Sequence, residues 1–167
     1  MVPGDTPPAA AAAPPARAAT APRRPVLVAA LVVWAASVAV VTLRPSSDYD
    51  GQLDLVRRVT DWLVTHGIPL TFALVEALAN VAMFAPLGVL LVLLAAAPAG
   101  RSARGLRLMV RVALVGLAIS TGIEVAQALW LPSRVATVQD VVMNTLGAAA
   151  GAWATLVVLD RRARTRA

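Results

Sequence analysis

Four apolar runs, each about as long as a membrane crossing, fill most of this 167-residue chain. They lie at about residues 26–43, 70–97, 110–131 and 137–159. A hydrocarbon core about 30 Å thick needs about 20 consecutive apolar residues in helical form. Backbone polar groups inside it must be satisfied within the segment, so helices are the spanning structure these runs can adopt. The expected fold is therefore all-α, an integral membrane bundle of four transmembrane helices.

Composition supports that reading. Hydrophobic residues make up 59% of the chain and charged residues 14%, where a soluble domain carries about 25% charged residues. Four spans leave no room for a separate soluble domain. There is no cysteine, which excludes a disulfide framework and thiolate-ligated zinc or iron–sulfur sites. One histidine leaves little scope for imidazole chemistry. No cofactor and no metal are expected. The basic residues are all arginine, and alanine and proline are abundant, a composition in keeping with a GC-rich, actinobacterial genome.

The connecting segments set the expected topology. Residues 1–25 are rich in Ala, Pro, Thr and Arg. Such a segment cannot bury enough apolar surface to offset ordering and reads as a disordered tail. Ala35–Ala39 loosely resembles a signal-peptide cleavage site, but the run starts late and continues past it, so retention of the helix is expected. Eleven arginines fall in the N-terminal tail, in residues 98–111 at the junction of the second and third runs, and in the C-terminal tail (160–167), against four in the other two loops. This excess places both termini in the cytoplasm of a bacterial cell, N-in and C-in, in the plasma membrane. The net charge of +6 thus reports topology; the arginines form no continuous stripe interleaved with aromatics, and no nucleic-acid partner is expected. In the first outer loop, Leu53, Val56, Val59, Trp62 and Leu63 recur at helical spacing, with Asp54, Arg57, Arg58 and Asp61 between them. That is the pattern of a short amphipathic helix, on the membrane surface or packed on the bundle, ending at Gly67.

Few polar residues interrupt the spans. Glu76 and Asn80 lie in the first half of the second, Ser120, Glu124 and Gln127 in the second half of the third, and Asp140 and Asn144 in the first turns of the fourth. With alternating helix direction these positions, and Arg134 in the tight connection, all fall in the outer half of the bundle. Ser120, Glu124 and Gln127 are spaced i, i+4, i+7, which places them on one helix face. Asp140, Asn144, Gly147 and Gly151 share a face on the fourth span, and Glu76, Asn80, Phe84 and Gly88 on the second. If those faces meet, Asn80, Glu124, Gln127, Arg134, Asp140 and Asn144 form an outward-facing, ligand-binding polar pocket. A carboxylate at the centre of a membrane helix costs roughly 2.5–3.5 kcal/mol, which the surrounding Leu and Val residues, at about −0.3 to −0.6 kcal/mol each, offset. The amides serve equally well as interhelical hydrogen-bonding groups, and Arg134 with Asp140 as an interfacial ion pair. Gly88, Gly147 and Gly151 are candidates for close helix packing. Pro86 is expected to remove one backbone hydrogen bond and kink the second helix.

These residues carry a family resemblance. Asn80-Val81-Ala82-Met83-Phe84-Ala85-Pro86-Leu87-Gly88 resembles the N-xxx-F-x-P-x-G segment of the VanZ-like family. Ser120 to Gln127 is similar to its S-xxx-E-xx-Q helix, and Arg134 with Asp140, Asn144, Gly147 and Gly151 to its R…D-xxx-N-xx-G-xxx-G ending. The resemblance covers about residues 70–159. The family often has an acidic residue where this chain has Thr137, which leaves any site needing that second carboxylate one group short. The resemblance implies a small polytopic bacterial membrane protein of a family named for an association with teicoplanin resistance. Three functional expectations follow: an envelope protein that binds a lipid-linked or glycopeptide-like amphiphile, an enzyme acting on a lipid or wall precursor, or an oligomeric transporter. In the enzyme, Glu124 would act as base, Asp140 as second carboxylate or metal ligand, and Arg134 as anion clamp.

Overall fold

The computed structural model describes residues 24–43, 58, 60–62, 64–67, 71–95, 103–131 and 137–166. Four long helices carry the fold: α1 (Arg24–Thr42), α2 (Phe72–Leu94), α3 (Ala103–Trp130) and α4 (Val138–Arg164). Each is long and apolar enough to cross a membrane, and no strand occurs among the described residues. The N-terminal tail lies outside the described residues except for Arg24 and Pro25, which open α1. Proline is tolerated there because the first-turn N–H has no intrahelical acceptor to lose.

The helices outrun the apolar stretches at the arginine-bearing ends. α3 starts at Ala103, seven residues before the apolar run, and α4 continues through Asp160 to Arg164. Arginine is a good helix former, so the apolar run marks the membrane-embedded part and not the helix end. An Asp160–Arg164 pair at 3.0 Å, one turn apart, supports the last turn of α4.

Contact order fixes the helix directions. Along α2 and α4, Asn80 meets Asp140, Val81 faces Gly147, Ala85 faces Gly151 and Gly88 faces Ala148 and Ala152, numbers rising together, so this pair is parallel. α3 runs against α4: Glu124 reaches Thr137, Ser120 reaches Asn144, and Gly116 faces Ala148. The end of α1 lies beside the second half of α3, where Gln127 Nε2 donates to Thr42 O at 2.8 Å.

α2 and α4 approach most closely, and glycine is the cause. A Cβ on Gly151 would lie 2.0 Å from Ala85 O, and one on Gly147 2.3 Å from Val81 O. From the other side, a Cβ on Gly88 would lie 2.1 Å from Ala148 O. Removing those side chains brings backbone against backbone, and the resulting dispersion contacts hold helices together where lipid removes the usual hydrophobic advantage.

The interior is built from small and polar residues plus a compact apolar cluster of Val38, Phe84, Leu87, Val92, Val112, Ala148, Ala152 and Leu156. The large aliphatics face outward: Val33 is 65% exposed, Leu114 58% and Leu146 52%. A soluble bundle shows the opposite arrangement; an apolar exterior suits lipid as solvent. α2 runs unbroken through Pro86. In the turn before that proline, Trp34 Nε1 of α1 donates to Met83 O at 2.8 Å, and the Trp34 ring meets Phe84 edge to face at 5.6 Å.

Of the first-loop helix, residues 58, 60–62, 64 and 65 have helical backbone, and Gly67 closes the turn with φ +80°. Trp62 is exposed. Leu53, Val56, Val59 and Leu63 lie outside the described residues.

Candidate polar site at one end of the bundle

The site begins at the N-terminus of α4. Thr137 caps that helix, its Oγ1 accepting the Asp140 backbone N–H at 3.1 Å. Threonine suits this position because its hydroxyl replaces an acceptor that a first turn lacks. The Thr137 backbone N–H donates in turn to Glu124 Oε2 of α3 at 2.8 Å. One residue therefore ties the buried Glu124 carboxylate to the start of α4. Thr137 supplies a capping oxygen at this helix start and no second carboxylate.

Asp140 lies in the first turn of α4, where the helix dipole favours negative charge. Its Oδ1 accepts from Asn80 Nδ2, which ties α2 to α4. Gln139 Nε2 reaches Ala73 O at 3.4 Å at the rim. One turn from Asn80 toward the same end lies Glu76, which is exposed.

A second layer sits one turn deeper. Asn144 follows Asp140 by four residues and Ser120 precedes Glu124 by four, so the same two helix faces meet again. Asn144 Nδ2 donates to Ser120 Oγ at 2.8 Å. Asn144 is 3% exposed, and its Oδ1 is buried and receives no hydrogen bond in the structure. A buried acceptor without a donor costs roughly 1–3 kcal/mol, so this oxygen stands out from an interior whose other polar atoms are largely satisfied.

Gln127, also buried, does not join these layers through its amide N–H. It ties α3 to α1 at Thr42 O. Of the six sequence-derived pocket residues, the structure links Asn80 to Asp140 directly and Asp140 to Glu124 through Thr137, places Asn144 one turn below, and turns Gln127 toward α1. Arg134 lies outside the described residues. All the described groups occupy one end of the bundle. Arg24, Arg104, Arg107, Arg161, Arg162 and Arg164 occupy the other. Gly88, Gly147 and Gly151 lie farther along toward that second end, between α2 and α4.

Three contributors carry no sequence signal of their own. Thr42 takes part through its backbone carbonyl, Trp34 through a donor aimed at another carbonyl, and Thr137 through its backbone N–H. A backbone partner leaves no trace in residue type. Only the capping role of Thr137, a threonine just before an apolar helix, is a recognised signature.

Among the described residues, no group of three or more His, Cys, Asp or Glu side chains is arranged to hold a metal ion. The arrangement offers two carboxylates, two amides and a hydroxyl: hydrogen-bond acceptors and donors for a polar headgroup. A model of the family VanZ/LLP1 matches residues 26–159 of the chain. No curated protein and no solved structure matches it.

Proposed function

The chain belongs to the VanZ/LLP1 family, and from that premise we propose that it binds an envelope amphiphile at its polar end. In this reading it is a multi-pass protein of a bacterial plasma membrane, with both termini cytoplasmic and the polar end facing the cell envelope. The amphiphile is a lipid-linked wall precursor or a glycopeptide-like molecule, and binding alters susceptibility to teicoplanin-type antibiotics. The observation that carries the reading is the gathering of Asn80, Ser120, Glu124, Asp140 and Asn144 in two adjacent layers at one end of three helices. Membrane helices bear such groups at a cost, and the bundle concentrates them at the end away from most of its arginines. An amphiphile matches a polar end set in an apolar exterior, since its headgroup and its chain meet both surfaces at once.

The test is a deletion strain challenged with envelope-active antibiotics and complemented with wild type, Glu124→Gln or Asn144→Ala at equal membrane levels. Restoration by wild type and not by the variants is expected. Equal restoration by all three contradicts the reading.

A second reading has one specific observation in its favour. Thr137 bonds to both Glu124 and the Asp140 backbone, holding two carboxylate residues at a single helix start. Paired acids in different environments can divide acid and base roles, as a membrane enzyme acting on a lipid or wall precursor requires. Turnover of such a lipid by purified protein, lost in Glu124→Gln, would favour this over binding alone.

A further inference from the structure

Toward the arginine-bearing end, beyond their glycine contact, α2 and α4 border a groove of about 300 Å³. It is lined by Val89 and Leu93 of α2 and by Ala154, Thr155, Val158, Leu159 and Arg162 of α4, Arg162 being the lining residue nearest the helix end. The Thr155 hydroxyl donates back to Gly151 O at 2.8 Å, so its proton is already engaged. The groove is thus apolar along its length and cationic at its mouth.

We propose that this groove holds part of one acyl chain of an anionic phospholipid, with the Arg162 guanidinium pairing its phosphate. Three observations carry the choice of occupant. The volume is at the small end of ligand sites, about 300–1,000 Å³, which suits a segment of hydrocarbon chain and not a whole bulky amphiphile. The Arg162 guanidinium makes no ion pair or hydrogen bond with the described residues, while that of Arg164 is engaged by Asp160. Arg162 is the one basic residue among those lining the groove, and it lies in the last turn of α4 beside Arg161 and Arg164 in sequence. Basic groups between membrane helices at the headgroup level select anionic lipids, and the long arginine side chain reaches that level while its stem covers apolar surface. This inference concerns the opposite end of the bundle from the polar site and stands independently of it.

The test is native mass spectrometry of the full chain in neutral detergent, titrated with phosphatidylglycerol or with phosphatidylcholine of the same acyl chains. Wild type is expected to bind phosphatidylglycerol about fivefold better, the scale of one arginine at an anionic surface. Arg162→Ala should bring the two lipids close to equality, Arg162→Lys should keep most of the preference, and Arg107→Ala, outside the groove, should leave it intact. Ala154→Phe, which fills the groove, should lower occupancy by both lipids. Equal losses in Arg162→Ala and Arg107→Ala would show diffuse charge and overturn the proposal, as would equal affinity of wild type for the two lipids. A wild-type dimer that Ala154→Phe dissociates would identify a second copy as the occupant, and would overturn it too.

Discussion

Asn144 of α4 donates its amide N–H to Ser120 Oγ of α3 at 2.8 Å, and both residues are buried. The bond joins the two helices one turn beneath the Glu124–Thr137 link. Ser120→Ala removes the acceptor and leaves the Asn144 amide without it, at a cost of roughly 1–3 kcal/mol. Asn144→Leu removes both the amide and its unpartnered carbonyl. The double variant should therefore cost less than the sum of the single ones, with a coupling near the ~0.6 kcal/mol average for membrane helix pairs. Chemical unfolding in detergent, followed by helical circular dichroism, measures all three.

Glu124 separates charge from hydrogen bonding. Glu124→Gln keeps an oxygen that can accept the Thr137 N–H, whereas Glu124→Ala removes it. The alanine variant should lose roughly 1–3 kcal/mol of stability, with the glutamine variant much closer to wild type. Thermal unfolding of the two purified variants checks the order. A functional defect shared by both, despite unequal stability, assigns the role to the carboxylate charge.

Glycine placement makes a steric prediction. Gly151→Leu drives a side chain into the Ala85 carbonyl, and overpacking of this kind costs about 1–3 kcal/mol or more. Gly122 lies on α3 with nothing within 4 Å of its would-be Cβ, so Gly122→Leu should leave stability nearly unchanged. The comparison, read by thermal unfolding, separates helix contact from any general intolerance of bulk.

Trp34 contributes a donor and a ring. Trp34→Phe keeps an aromatic edge against Phe84 and loses the bond to Met83 O, at about 0.6 kcal/mol. Trp34→Ala also removes the ring packed between α1 and α2 and, because Trp34 is half-buried, should cost less than the roughly 3–5 kcal/mol of a fully buried aromatic but more than Trp34→Phe. If Phe and Ala cost the same, packing is not what holds α1 in place.

The four helices were legible because apolar length is a property of the sequence alone. Their ends were less so: Arg104 and Arg107 extend α3, and Asp160 to Arg164 extend α4, because helix formation continues where hydropathy stops. The spacing of Ser120, Glu124 and Gln127 gave a common face, and all three are buried. Spacing could not say that Gln127 turns to α1 while Glu124 turns to α4, since the partner in each bond, the Thr42 carbonyl and the Thr137 N–H, belongs to the backbone. Likewise Gly147 and Gly151 announce a close approach, but that Val81 and Ala85 of a parallel helix receive them depends on how the chain is wound.

The absence of cysteine gives a clean background for testing the central claim, that the polar end faces the cell envelope. Gln139→Cys places one thiol at the exposed rim of that end, and Arg166→Cys places one beyond α4 at the arginine-bearing end. A membrane-impermeant maleimide applied to intact cells, or to spheroplasts if a wall blocks access, is predicted to label Gln139→Cys at once and Arg166→Cys only after permeabilisation. Labelling of Arg166→Cys in intact cells, with Gln139→Cys protected until lysis, would contradict the account.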